Sequence, residues 1–163
     1  MSAHEPRLTQ ALRTLLSTQR VAALGTLDDE GRPFVSMVPY ALDTASASVV
    51  LHVSGLASHT HNLQARPQVS LLVMQAEVQG EPVHALPRAT LEGVATVLEP
   101  ETPAWNSGRT AYLARFPEAE PMTQLGDFRF VAIQVHNARQ VAGFGAARSL
   151  GSAELAPVLG PNR

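Results

Sequence analysis

The stretch Ser54-Gly55-Leu56-Ala57-Ser58-His59-Thr60-His61-Asn62-Leu63-Gln64-Ala65-Arg66-Pro67 decides how this chain is read. An apolar run, Val49-Val50-Leu51-His52-Val53, precedes it, and a second, Val69-Ser70-Leu71-Leu72-Val73-Met74, follows. Small and hydroxylated residues thus fall where a strand ends and a short helix, 57–65, begins. A helix start presents amide N–H groups without intrahelical acceptors, and the helix dipole favours an anion there. Ser54, Ser58, His59 and Thr60 would add side-chain donors, so the stretch reads as a phosphate cradle. It also reads, more simply, as a connecting helix with no ligand, N-capped by Ser58.

Working outward, residues 6–18 set Leu8, Leu12, Leu15 and Leu16 on one helical face. A strand over 21–27 ends at Asp28-Asp29-Glu30-Gly31, a hairpin tip in which glycine supplies the positive φ. The next strand, 34–42, carries Phe34, Ser36, Val38 and Tyr40 on one face and Val35, Met37, Pro39 and Ala41 on the other. Pro39 cannot donate to a ladder and marks an edge or a bulge. Strands follow over 49–53, 69–74 and 88–98, the last with Gly93 signalling a bulge or a close backbone approach. Thr102-Pro103 opens a helix bearing Trp105, Tyr112, Leu113 and Phe116 that stops at Pro117. A strand over 128–135, a turn at His136-Asn137-Ala138 and a strand over 139–144 complete the pattern. The sum is a mainly β, α+β chain: one domain over 1–150, a barrel of about seven antiparallel strands with peripheral helices. The Pro/Gly/Ala-rich segment 151–163 reads as a flexible tail.

Composition narrows the chemistry. The 163 residues are 45% hydrophobic and 16% charged with a net charge of −2, so neither nucleic acid nor membrane is an expected partner, and the chain is expected to be cytoplasmic. No cysteine is present, which excludes disulfides, thiolate metal sites and thioether haem attachment. No lysine is present either: all 12 basic residues are arginine, so no side-chain Schiff base and no P-loop lysine exist. The six histidines are His4, His52, His59, His61, His84 and His136; His59 and His61, two apart on a helix, diverge and do not share a metal ion. Arg88 opens a strand at a barrel rim, where it would pair with a ligand anion or ring oxygen, or form a surface salt bridge.

Several segments together resemble the FMN-binding split-barrel superfamily, which includes pyridoxamine 5′-phosphate oxidase. The first hairpin, Thr26 to Ser36, fits that superfamily at large. The runs Val53 to Leu63 and Arg66 to Leu72 are similar to its haem-utilisation branch, as are Pro87 to Gly93, Tyr112 to Pro117 and Val141 to Ala147. The resemblance implies a split barrel that forms a homodimer with flavin sites at the subunit interface, and a small-molecule substrate. It puts Ser36 at the position of a phosphate-binding arginine, Ser58 and His59 at an arginine-lysine pair, and Ala41 at a lysine. It puts Arg88 at a glutamine beside the flavin ring and Phe144 at a nearby tryptophan. On this reading FMN is the cofactor of an oxidoreductase. Ser36, Ser54, Ser58, His59 and Thr60 surround its phosphate, Met37 and Val38 present backbone to its ring, and Arg88 and Phe144 flank it. The oxidase's C-terminal Arg-x-His pattern is missing, so pyridoxamine 5′-phosphate oxidation itself is not expected. Alternatives are a deazaflavin cofactor, a haem-binding protein, or a flavin-binding protein that does not turn over; no histidine beyond His136 offers a late axial ligand.

Overall fold

A computed structural model describes residues 5–161. Alternating apolar residues become one antiparallel sheet of eight strands. These are β1 (Val21–Leu27), β2 (Pro33–Pro39), β3 (Ala41–Asp43), β4 (Ser48–Ser54), β5 (Gln68–Met74), β6 (Arg88–Val97), β7 (Phe128–Val141) and β8 (Ala147–Gly151). Seven run in the order β2-β1-β5-β6-β7-β4-β3, and β8 pairs with β7. β2 and β3 are therefore opposite edges of the sheet yet adjacent in the chain, joined through Tyr40, and the sheet curls into a split barrel. Four helices surround it: α1 (Arg7–Thr18), α2 (Ser58–Ala65), α3 (Pro103–Arg115) and α4 (Ser152–Leu159). Two 3₁₀ segments, Val83–Ala85 and Pro117–Gln124, complete the chain. No helix among the described residues is long and apolar enough to cross a membrane.

The barrel is filled by Leu12 and Leu16 of α1 with Leu24, Leu51, Leu71 and Ile133 from the strands, all but inaccessible to solvent. Each such side chain contributes roughly 1.5–3 kcal/mol on leaving water. A second cluster, Val50, Tyr112, Phe116 and Phe130, lies under α3. α3 starts as its sequence predicts: the Thr102 hydroxyl accepts from the Trp105 N–H at 3.4 Å, and Pro103 takes the first position. The end of α1 is closed from a distance. The Tyr40 hydroxyl donates to the Leu16 carbonyl at 2.8 Å, and Arg115 donates to the carbonyls of Leu16, Ser17 and Gln19.

Three expectations are corrected. The single strand over 34–42 breaks at Tyr40 into β2 and β3, because the chain there crosses from one sheet edge to the other. The turn at residues 136–138 is a bulge inside one long strand: β7 pairs with β6 through Asn137↔Glu92 and Val135↔Gly93, leaving His136 as the extra residue. The segment from 151 is not a frayed tail as far as 161. Leu155, Val158 and Leu159 recur at helical spacing and are buried in the main core, and the Gly151 N–H donates to the Glu154 carboxylate at 2.9 Å. Residues 162–163 lie outside the described residues.

Candidate functional site

Two regions compete for a ligand. The first is the corner between the β1–β2 hairpin and the start of α2, where the phosphate cradle was expected. α2 begins at Ser58, with Ala57 rather than Ser58 as N-cap and no side-chain cap bond. Ser36 and His59 do meet: Ser36 Oγ lies 2.9 Å from His59 Nδ1. Thr60 is fully buried, and its hydroxyl donates to the Ser54 carbonyl at 2.6 Å. The Ser54 hydroxyl accepts from the Leu56 N–H at 3.2 Å. Ser36, Ser54, His59 and Thr60 are thus engaged within the chain, whereas the Ser58 hydroxyl has no partner among the described residues.

The charges of the corner are also paired among themselves. Its cleft, about 450 Å³, is bordered by Asp28, Asp29 and Glu30 and by no arginine. His61 and Arg66 are paired with the Asp29 carboxylate at 3.0 and 3.5 Å. Burial lowers the His59 pKa, which keeps its imidazole neutral at pH 7. Backbone bonds from Arg32 hold the Asp28 carboxyl below its usual range, so it stays an anion. Asp28 and Glu30 are paired with Arg32, as Asp29 is with His61 and Arg66, so the cations of this corner already have internal partners.

The remaining expected residues do not join this corner. Met37 projects from the opposite face of β2, whereas Val38 is buried in the barrel. Arg88 opens β6 opposite Met74, at the far end of the strand from the Gln68↔Val94 pair next to α2. Six residues of strand separate Arg88 from Val94, roughly 20 Å. Its guanidinium donates to the carbonyls of His84 and Leu86 at 3.1 and 2.9 Å, bracing the loop before β6. Phe144, 74% exposed, stands in a turn between Gly143 and Gly145, both with positive φ.

The second region is the outer face of the open sheet. The pairings Met37↔Ala23↔Leu72 and Val35↔Gly25↔Ser70 place these residues in rows across β2, β1 and β5. Val35, Met37 and Val21 are 66%, 65% and 50% exposed, and Leu72 and Met74 are also exposed. A contiguous apolar face of this kind marks an interaction surface. A cleft of about 470 Å³ opens on it, bordered by Gly25, Leu27, Pro33, Ser70, Glu92 and His136. That volume lies within the roughly 300–1,000 Å³ usual for cofactor sites.

Gly25 is the informative residue there. Glycine in a strand interior costs roughly 0.5–1 kcal/mol relative to alanine. A Cβ on Gly25 would touch only Ser70, at an ordinary 3.7 Å. The chain's own packing therefore does not require glycine, and its absent side chain leaves the cleft floor bare. Gly93 differs: its Cβ would strike the Gln134 carbonyl and sit 2.9 Å from Ile133 Cγ2. The cleft thus has a glycine in its floor, Leu27, Pro33 and Val69 as its apolar lining, and Thr26, Gln68, Ser70, Glu92 and His136 as its polar lining.

A profile for pyridoxamine 5′-phosphate oxidase matches residues 8–142. The chain belongs to that family. Haem oxygenase HutZ of Vibrio cholerae is 29% identical over 150 residues, covering 91% of this chain and 84% of that protein. The chloroplastic non-canonical haem oxygenase HOZ of Arabidopsis thaliana is 35% identical over 162 residues, covering 95% of this chain and 48% of that one. The structure of a haem-binding protein from Mycobacterium smegmatis superposes with a TM-score of 0.82 at 30% identity, covering 94% of this chain and 62% of that one. This chain thus spans about half of the plant protein and under two thirds of the mycobacterial one. The resemblance to the haem-utilisation branch of the split barrels stands. The expectation of an FMN-dependent oxidoreductase does not: these relatives are named for haem.

Proposed function

We propose that this protein binds haem in a haem-utilisation role, on the outer face of its open sheet. The observation that carries this reading is the bare floor at Gly25, set in an exposed apolar face beside an imidazole. The names of its relatives support it. The residues that would hold the ring are Gly25 and Ser70 beneath it and Leu27 and Pro33 at its edges. Bound iron would supply redox and oxygen chemistry; the chain's part is to seat the ring and keep water from it.

The same face supplies the seam of a homodimer. Val21, Val35, Met37 and Leu72 are exposed together on one face, and a second copy laid over them would bury apolar surface that a lone monomer leaves wet. The haem would then lie between two protomers, screened from solvent on both sides.

Haemin titrated into the purified chain tests this reading. The expected result is a shifted Soret band that saturates at a fixed stoichiometry, with sedimentation showing a dimer. A titration indistinguishable from haemin in buffer overturns it.

A further inference from the structure

The arginines of this chain divide by what each one holds. Arg13, Arg20, Arg32, Arg66 and Arg109 are paired with carboxylates. Arg88, Arg115 and Arg129 donate to backbone carbonyls. Arg139 donates to the Ser149 hydroxyl, and Arg148 to Gln140 and Thr9. Arg163 lies outside the described residues. Arg7, exposed at the start of α1, alone has no hydrogen bond or ion pair among the described residues. In a chain without lysine, that makes it the one uncommitted guanidinium among them.

Arg7 borders a cleft of about 530 Å³ between α1 and the ends of β5 and β7. That is room for a small organic molecule. Gln10 and Thr14 line the helical wall and Gln75 the strand wall, and none of their side chains has a partner among the described residues. The inner wall is a closed polar network. Gln140 is 2% exposed; its amide N–H donates to the Leu8 carbonyl at 2.8 Å, and its oxygen accepts from Arg148 at 2.9 Å. Arg148 also donates to Thr9 Oγ1 at 3.3 Å and has no carboxylate partner among the described residues. α1, β7 and β8 are thereby tied together, and the cleft is built by the chain itself.

Among the described residues no carboxylate lines this cleft. One guanidinium without a counter-ion stands on its border and another behind its inner wall, so an anion is stabilised there. The amides of Gln10 and Gln75 each offer donors and an acceptor, as the Thr14 hydroxyl does, which matches hydroxyl groups on a ligand. A wholly apolar acid would strip water from these groups and pair with none of them. Arg7 and Thr14 are two turns of helix apart, about 10 Å, which suits an elongated molecule.

We propose that this cleft binds an elongated, polyhydroxylated carboxylate of the sugar-acid class, its carboxylate on Arg7 and its hydroxyls on Gln10, Thr14 and Gln75. The cleft shares no residue with the one at Gly25, so its occupancy does not depend on the haem reading.

Sodium gluconate titrated into the full chain, followed by amide NMR, tests this. Sorbitol, the uncharged polyol of the same carbon number, is the control for charge. Gluconate should move the amides of Ala11, Thr14, Gln75 and Val141 saturably in the low-millimolar range, and sorbitol should bind at least tenfold more weakly. Arg7→Gln should weaken gluconate at least tenfold and leave sorbitol unchanged. Arg7 is exposed and unpartnered, so this variant should unfold as the wild type does. The same shifts with sodium chloride at equal ionic strength would mean an adventitious ion only and would overturn the assignment. So would equal affinity for gluconate and sorbitol, gluconate binding that survives Arg7→Gln, or no saturable shift at these residues. Haemin enters none of these outcomes, and their failure leaves the haem reading standing.

Discussion

The corner at α2 and the open face at Gly25 lie on the same few strands and are built on opposite principles. In the corner almost every polar group has an internal partner. Thr60 serves Ser54, Asn62 donates to Thr26 Oγ1 at 3.1 Å, Ser36 meets His59, and Asp29 collects His61 and Arg66. On the open face the groups are apolar and uncovered, the floor lacks a side chain, and an imidazole stands free. Donors placed at a helix start are thus no evidence of a ligand until their partners are counted. Surface left bare at a conformational cost is better evidence.

That contrast yields four measurements, in falling order of effect. The first concerns His52, an imidazole spent entirely on packing. Burial lowers its pKa to about 4 from 6.5. Above pH 6.5 both folded and unfolded chains carry it neutral. As pH falls from 6.5 to about 4 the unfolded chain takes up a proton that the folded chain resists, so stability is lost in that window. The loss amounts to about 3 kcal/mol at most. Urea unfolding at a series of pH values should show this slope in the wild type and a shallower one in His52→Phe; parallel slopes would contradict it.

The second is Thr60→Val, which removes the shorter of two hydrogen bonds to the Ser54 carbonyl, leaving that from the Ala57 N–H at 3.2 Å. It should cost about 0.5–1.5 kcal/mol in urea unfolding and leave haemin affinity unchanged. A large loss of affinity at unchanged stability would return the site to the corner. The third reverses that pattern. Gly25→Val fits sterically within one chain, so stability should change by under about 1 kcal/mol, because valine favours strands. Haemin affinity should fall at least tenfold, about 1.4 kcal/mol, as the floor fills. The smallest effect belongs to Asp29→Asn. Its pairs with His61 and Arg66 are largely exposed, so unfolding should shift by no more than about 0.5–1 kcal/mol.

Much of the fold was legible in the sequence. Thr102-Pro103 announced α3, apolar runs announced β1 and β5, alternation announced β6, and Gly93 announced a bulge or close approach where the register shift falls. The break at Tyr40 was not legible, because its cause is the closing of the barrel, a tertiary event. α4 was hidden by the composition of its surroundings, although Leu155, Val158 and Leu159 keep helical spacing. The internal partners of the expected cradle were not legible, for a definite reason. Hydroxyls and histidines at 54–60 look available in a sequence, whereas their partners, Ser36 and the Ser54 carbonyl, are apparent only in three dimensions. A signal for the exposed apolar face was present in β2. Val35, Met37 and Pro39 make its second face as apolar as its first, the mark of a strand covered on both sides.

The most direct test of the central claim is amide NMR of the chain with and without one equivalent of ferric haem, whose unpaired electrons broaden nearby signals. The amides of Gly25, Ser70 and Gly93 are expected to broaden away while those of Ser58, His59 and Thr60 stay sharp. Broadening centred on Ser58–Thr60, with Gly25 unaffected, would contradict it.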